Sequence, residues 1–394
     1  MKASKRRGPI RLHFVLPLIV FNLVFFAFPI GMILFFSVHS PEFVSAMPRT
    51  ALALADWDGK SVPDEATYSA LVHDLRKAFA ERTLPEAAQR LNYELPGAQS
   101  MVMDTGRKAG TLQPPYRESV VSADKRWGEF DIWRVAASAS SRFTTYYLLS
   151  ALDLKKHPDG SIHGAPESQR IYLATLGRTI WMSLVVTLLC LAIGYPLAYL
   201  IANSPGKWSN LYLLAVMIPF WMSLLVRTAA WVVLLQKKGL INDALVWLAL
   251  IDQPIQLIFN RIGVYVTMTH ILLPFMVLPL YSVMRSIPKE HLRAAASLGA
   301  RPTIAYLSIY FPQTVPGIGA GALLVFVLSV GFYITPALVG GGSDQMLSYF
   351  IAQFAVQNAN WGMASALALL LMITAGLTIV VVGRLTKATR VGVT

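Results

Sequence analysis

The chain has 394 residues, 55% hydrophobic and 14% charged, well short of the roughly one quarter charged in soluble domains, which excludes an ordinary water-soluble globule. Its net charge of +13 would suit a nucleic-acid binder, but residues 42–170 hold 16 Lys/Arg against 17 Asp/Glu, leaving 18 against 4 elsewhere. The basic excess therefore flanks apolar runs, which is the pattern of topology-setting charge and not of a phosphate-binding face.

In chain order, the first element is an apolar run at 12–38 behind the basic start MKASKRRGPIR. It is long for a signal-peptide core, and no small-residue cleavage site follows in SPEFVSAMP, so it reads as an uncleaved first span. Five more runs of spanning length follow at 172–202, 211–235, 262–284, 317–339 and 362–384. With the N-terminus inside, the inner segments carry Lys2, Lys5, Arg6, Arg7, Arg11, Lys207, Arg285, Lys289, Arg293, Arg301, Arg384, Lys387 and Arg390. The short outer loops carry Lys237, Lys238 and Arg261. Thirteen against three predicts both termini cytoplasmic.

Residues 42–170 then lie outside the cell membrane. Tyr68, Leu71, Val72, Leu75 and Phe79 recur at helical spacing, and Thr83 to Glu86 (TLPE) carries a capping-box pattern with proline in the first turn. Trp127, Phe130, Trp133, Phe143, Tyr146 and Tyr147 add aromatic mass. This predicts a helical insertion with its own modest core. His73, His157 and His163 are scattered without ligand spacing, so neither a catalytic constellation nor a metal site is expected. Cys190, the single cysteine, lies in an apolar run and reads as packing.

Within the later spans, Arg178 and Arg227 are charged residues at membrane depth. Arg178, near the outer end of its run, reads as snorkelling outward. Arg227, near Trp221 and Trp231, either lines a path or partners an ion or carbonyl. Tyr333, Thr335 and Asp344 fall in or beside a Gly/Pro-broken stretch, where irregular backbone must be buried or line a cavity. Candidate pathway residues are thus Arg227, Trp231, Tyr333, Thr335 and Asp344. His270, the one histidine in these later spans, reads as a satisfied packing residue.

Between the fourth and fifth runs stands SIPKEHLRAAASLGA, residues 286–300. Ser286 as cap, Pro288 in the first turn and Gly299 as terminator predict a helix of about three turns. Its face of Leu292, Ala295, Ala296 and Gly299 offers small side chains and an apolar knob, edged by Glu290, Arg293 and Arg301. This loop resembles the cytoplasmic signature of binding-protein-dependent ABC importer permeases: Glu-Ala-Ala, three residues, Gly, nine residues, Ile-x-Leu-Pro. Ala294, Ala295, Gly299, Ile309 and Pro312 fall in register, Phe311 replaces the leucine, and Arg293 stands in the glutamate's place. IPFWMSLLVRTAAWVVLLQKKGLIN (218–242), LPFMVLPLYSVM (273–284) and GFYITPALVGGGSDQML (331–347) are similar to the spermidine/putrescine branch, within the methionine-importer-like superfamily.

The resemblance implies an all-α, polytopic permease of six transmembrane helices in the bacterial inner membrane. Its parts would be an N-terminus and first helix (1–41), an extracytoplasmic insertion (42–170), and a transmembrane core (171–394) with its coupling loop at 286–312. It implies a transport subunit and not an enzyme. ATP and Mg would sit on a partner ABC ATPase, since this chain has no GK[ST] phosphate loop. Expected partners are that ATPase, a second permease in a heterodimer, an extracytoplasmic solute-binding protein and lipid, with no nucleic acid. The coupling residues would be Glu290, Leu292, Arg293, Ala294, Ala295, Gly299, Ala300 and Pro312. The solute would be spermidine/putrescine-like. Yet the only acids outside the insertion are Asp243, Asp252, Glu290 and Asp344, so an opine, amino-acid derivative, phosphonate or other anionic solute is the alternative, with a non-transporting membrane sensor or anchor as the rival outside transport.

Overall fold

The computed structural model describes residues 12–156 and 161–391. The side chains of residues 12–14, 382 and 385–391 are not described. Lys2, Lys5, Arg6, Arg7, Arg11 and His157 lie outside the described residues, as do the side chains of Lys387 and Arg390. The chain divides into two compact units, Met1–Gln169 with Asn360–Ala366, and Arg170–Ala359 with Leu367–Thr394.

The first unit begins with α1 (Val15–Phe36), an apolar helix long enough to cross a membrane. A π-turn at Leu23–Ala27 interrupts its regular winding. The cause is Pro29, which has no N–H for the carbonyl four residues back; the Phe28 N–H bonds Leu23 O instead. Eight short helices follow: α2 (Glu42–Ala46), α3 (Pro48–Ala55), α4 (Glu65–Ala80), α5 (Leu84–Glu94), α6 (Ala98–Lys108), α7 (Tyr116–Ala123), α8 (Phe130–Ala139) and α9 (Tyr146–Ala151). A small antiparallel pair, β1 (Leu154–Lys156) and β2 (Ile162–Gly164), closes the run.

Helix α4 buries Tyr68, Leu71, Val72 and Leu75 as its spacing predicts, whereas Phe79 is left exposed. Polar groups inside this core are paired: the Trp127 carbonyl accepts from Tyr68 OH (2.6 Å) and Trp133 Nε1 (2.9 Å). Trp127 Nε1 donates to Thr105 Oγ1 (2.9 Å). The two indoles lie 5.4 Å apart, so every buried aromatic donor here is satisfied while the rings fill volume. Thr83 does not form the expected capping box. Its backbone sits in the right-handed region and its N–H closes the end of α4 on Ala78 O (2.9 Å), so its hydroxyl makes no cap bond.

In the second unit, α10 (Tyr172–Asn203), α14 (Arg261–Ser286) and α16 (Pro302–Val330) are each long and apolar enough to span. So is the Trp361–Val381 part of α19 (Trp361–Val391), whose residues up to Ala366 belong to the first unit and the rest to the second. Between them lie α11 (Gly206–Met217), α12 (Leu224–Leu234), α13 (Leu240–Trp247), α15 (Glu290–Ser297), α17 (Ile334–Val339) and α18 (Leu347–Ala352). Two expected spans are corrected. The run at 211–235 is no single helix: it breaks at Met222 and Ser223 and bends by 96° between Gly206–Trp221 and Leu224–Leu234. The run at 317–339 is shifted. Its helix starts at Pro302 and ends at Val330, and α17 follows separately after Gly331–Tyr333.

Helices α10, α14 and α16 pack on one another. Met276 of α14 sits where α16 presents glycine: a Cβ on Gly321 would meet Met276 Sδ at 2.7 Å and its carbonyl oxygen at 3.1 Å. In an apolar solvent, packing of this closeness is what holds helices together. Gly321→Leu is therefore expected to cost about 1–3 kcal/mol by overpacking. A thermal unfolding midpoint in detergent unchanged from wild type would contradict it.

Candidate functional site

Helix α15 begins at Glu290, whose carboxylate suits the positive N-terminal end. It ends in a Schellman motif: Ala300 N–H bonds Ala295 O and Gly299 N–H bonds Ala296 O, both at 3.0 Å. Gly299 has φ +80°, the left-handed conformation that this motif needs and glycine adopts without strain. Ser286 is not the cap. It is the last residue of α14 and its hydroxyl donates to Val283 O (2.8 Å), so α15 has two turns instead of three.

The apolar face expected to point outward is divided. Leu292 is half-buried in the core of the second unit and Ala295 is buried. They anchor the helix on its own chain. Exposed are Glu290, Arg293, Ala294, Ala296, Ser297, Gly299 and Leu298, and Leu298 is 88% exposed. Ala300 and Pro312 are half-buried. Among the described residues neither Glu290 nor Arg293 is in a salt bridge. The outward apolar knob is thus Leu298, which periodicity alone assigned no role because it lies one residue beyond the last helical turn.

A second cluster forms where the bent pair breaks. Ser223 Oγ caps α12 by accepting from Val226 N–H (3.2 Å). Arg227 lies in the first turn, where a cation is disfavoured by the helix dipole. Its Nε and Nη1 are buried and have no hydrogen-bond partner among the described residues. One turn on, Trp231 Nε1 donates to His270 Nδ1 (3.1 Å), which places the hydrogen of a neutral imidazole on Nε2. His270 also lines a cavity of about 270 Å³ with Tyr212, Pro219, Leu273 and Pro274. A guanidinium whose buried Nε and Nη1 have no partner, at a half-helix N-terminus, is an electropositive spot fit for an anionic group.

The remaining candidates do not join this cluster. Thr335 is buried; its hydroxyl lies 3.1 Å from Thr228 Oγ1, whose own hydrogen goes to Leu224 O. It braces α17 on α12. Asp344 is buried, accepting from Arg261 Nε (2.9 Å) and Gly341 N–H (3.2 Å). It is a paired anion. Arg178 does not snorkel freely: its Nε donates to Gln345 O (3.0 Å) and its Nη2 to Thr175 Oγ1 (3.1 Å). Tyr333 is exposed. No group of three or more potential metal ligands occurs among the described residues.

Comparison with known proteins follows the same segments. A family model described as "binding-protein-dependent transport system inner membrane component" matches residues 194–390. The chain is 36% identical over 217 residues to the spermidine/putrescine transport system permease protein PotB of Escherichia coli (strain K12), covering 55% of this chain and 79% of that one. It is 33% identical over 226 residues to the inner membrane ABC transporter permease protein YdcU of the same organism, covering 53% and 70%. A crystal structure of a bacterial alginate ABC transporter with a pentasaccharide-bound periplasmic protein aligns at TM-score 0.46 and 17% identity, over 56% of this chain and 79% of that chain.

Proposed function

We propose a function from the family to which this chain belongs, the inner membrane components of binding-protein-dependent transport systems: it carries spermidine- or putrescine-like solutes inward through a path that it half encloses. It is an ABC importer permease, a transport subunit and not an enzyme, working with an ATPase and a solute-binding protein. The observation that carries the solute class is the 36% identity to a spermidine/putrescine permease across 79% of that protein.

In this reading the bent α11–α12 pair counts as one span, so six helices cross the inner membrane. Residues 42–170 follow the first of them outside, and both termini are cytoplasmic, in keeping with the flanking Lys/Arg. Helix α15 is the coupling helix and seats Leu298, with Ala294 and Arg293 beside it, in a cleft of the ATPase that binds ATP and Mg. A second, different permease completes the path. Glu290, one turn before Arg293, takes the contact that the missing signature glutamate would make.

A second solute class has an observation of its own. The unpaired Arg227 at the start of α12 favours a carboxylate- or phosphonate-bearing solute, because a polycation would be repelled there unless the second permease supplies acids.

The test is binding-protein-stimulated ATP hydrolysis by the reconstituted complex, titrated with spermidine, putrescine, and a panel of opines and amino-acid derivatives. Stimulation by a polyamine is expected. Stimulation by an anionic solute alone would replace the polyamine reading and place Arg227 at the site. If no ATPase copurifies with the chain, the coupling-helix assignment is wrong.

A further inference from the structure

Residues 298–301 alone join α15 to α16, and α16 opens on a π-turn at Tyr306–Tyr310. Its cause is Pro312, which offers no N–H to the Ser308 carbonyl; Phe311 N–H bonds Tyr306 O instead, one residue further back than in an α-helix. Such turns sit at functional irregularities because a one-residue change of register is local and inexpensive.

The π-turn is tied to α15 on one side. His291 Nδ1 lies 3.1 Å from Gln313 Oε1, and Gln313 Nε2 donates to Ile309 O (2.7 Å) within the turn. Leu292 and Tyr306 pack against the same apolar cluster. On the other side it is tied to α10 by a chain of hydroxyls. Tyr306 OH donates to Tyr195 OH (3.0 Å). Thr314 Oγ1 spends its hydrogen on Phe311 O (2.7 Å), so the 3.2 Å contact with Tyr195 is a donation from the tyrosine. The chain thus runs Tyr306, Tyr195, Thr314, Phe311 O, and it bridges the irregular turn and the regular helix after it. Tyr199 of α10 stands edge-on to Tyr306 and Tyr310 at 5.7 and 5.5 Å. A one-residue shift of the π-turn carries Tyr306 about 100° around the helix axis and breaks its bond to Tyr195. The chain is therefore either made or broken, the two-state behaviour that mechanical coupling requires.

We infer that Tyr306 and Tyr195 are positioning residues that pass movement of α15 to α10 through this π-turn. The inference rests on α15 being the ATPase-docking helix. Tyr306→Phe and Tyr195→Phe keep the rings and remove the hydroxyls. In the reconstituted complex with its ATPase, hydrogen exchange of amides in segments 192–203 and 302–316 is compared before and after trapping with ATP and vanadate. In wild type both segments should respond. In each variant the response of 302–316 should persist and that of 192–203 should fall about fivefold or more. The double variant should be no worse than either single, as for groups acting in one chain.

Thermal midpoints of the variants are measured alongside, because a merely structural role lowers the midpoint without separating the two responses. Variants responding as wild type, or wild type responding at 302–316 alone, overturn the inference. Wild type responding at neither segment overturns the docking assignment beneath it.

Discussion

Arg90→Ala is expected to destabilise the first unit by about 3–5 kcal/mol, the usual cost of removing one partner of a buried ion pair. Arg90 is 1% exposed, its Nη1 2.8 Å from Glu94 Oε1 and its Nε donating to Ser40 Oγ (2.8 Å). Ser40 passes its own hydrogen to Glu42 Oε2 (2.8 Å). The guanidinium stacks over Tyr146 and Tyr147 at 5.1 and 5.7 Å. Burial by itself lowers the Arg90 pKa, but Glu94 and the two tyrosines outweigh it and hold the group above its ordinary value. Burial likewise pushes the Tyr146 hydroxyl up, so that ring stays neutral beneath the cation.

Truncation leaves the half-buried Glu94 without its cation and Ser40 with only the 3.4 Å donation from Tyr147 OH, and opens a void between two rings. Arg90→Lys should recover little, since an ammonium lacks the planar fork that spans Ser40 and Glu94. Because domains are stable by only about 5–15 kcal/mol, the full-length variant should show early loss of Trp127 and Trp133 fluorescence and tryptic cutting within residues 42–169. A midpoint within about 1 kcal/mol of wild type would remove Arg90 from this central role.

Leu298→Asp is expected to weaken ATPase attachment most among single changes in the coupling loop. A well-seated apolar anchor is worth about 2 kcal/mol or more, roughly thirtyfold in affinity. The side chain is almost wholly exposed on its own chain, so the variant should insert and melt like wild type. Leu292→Ala should behave differently, because Leu292 packs against the unit's core. It should lower the melting midpoint as well as the coupling. An ATPase retained by Leu298→Asp at wild-type affinity would shift the docking surface to Arg293 and Ala294.

Those two sites also mark how far the amino-acid order reaches. Local chemistry decided much at once. Apolar runs of about twenty residues have no stable alternative to helix in lipid. Gly299 in the left-handed conformation ends the helix before it, and the register of Ala294, Ala295, Gly299, Ile309 and Pro312 marked the loop that resembles the family's signature without coordinates. Helix α4 announced its buried face by spacing, because Tyr68, Leu71, Val72 and Leu75 must share one side of any helix they form.

What depended on groups distant in the chain was settled by the tertiary structure alone. Asp344 and Thr335, candidate path residues by sequence, find their partners in Arg261, 83 residues away, and Thr228, 107 away. Arg178 bonds a carbonyl 167 residues on. Arg90 had no signal in a surface-like helix of mixed charge, yet Ser40, Glu94, Tyr146 and Tyr147 converge on it. Spacing says which residues share a face. It does not say what that face meets, and whether a polar group is free or spent depends on what it meets.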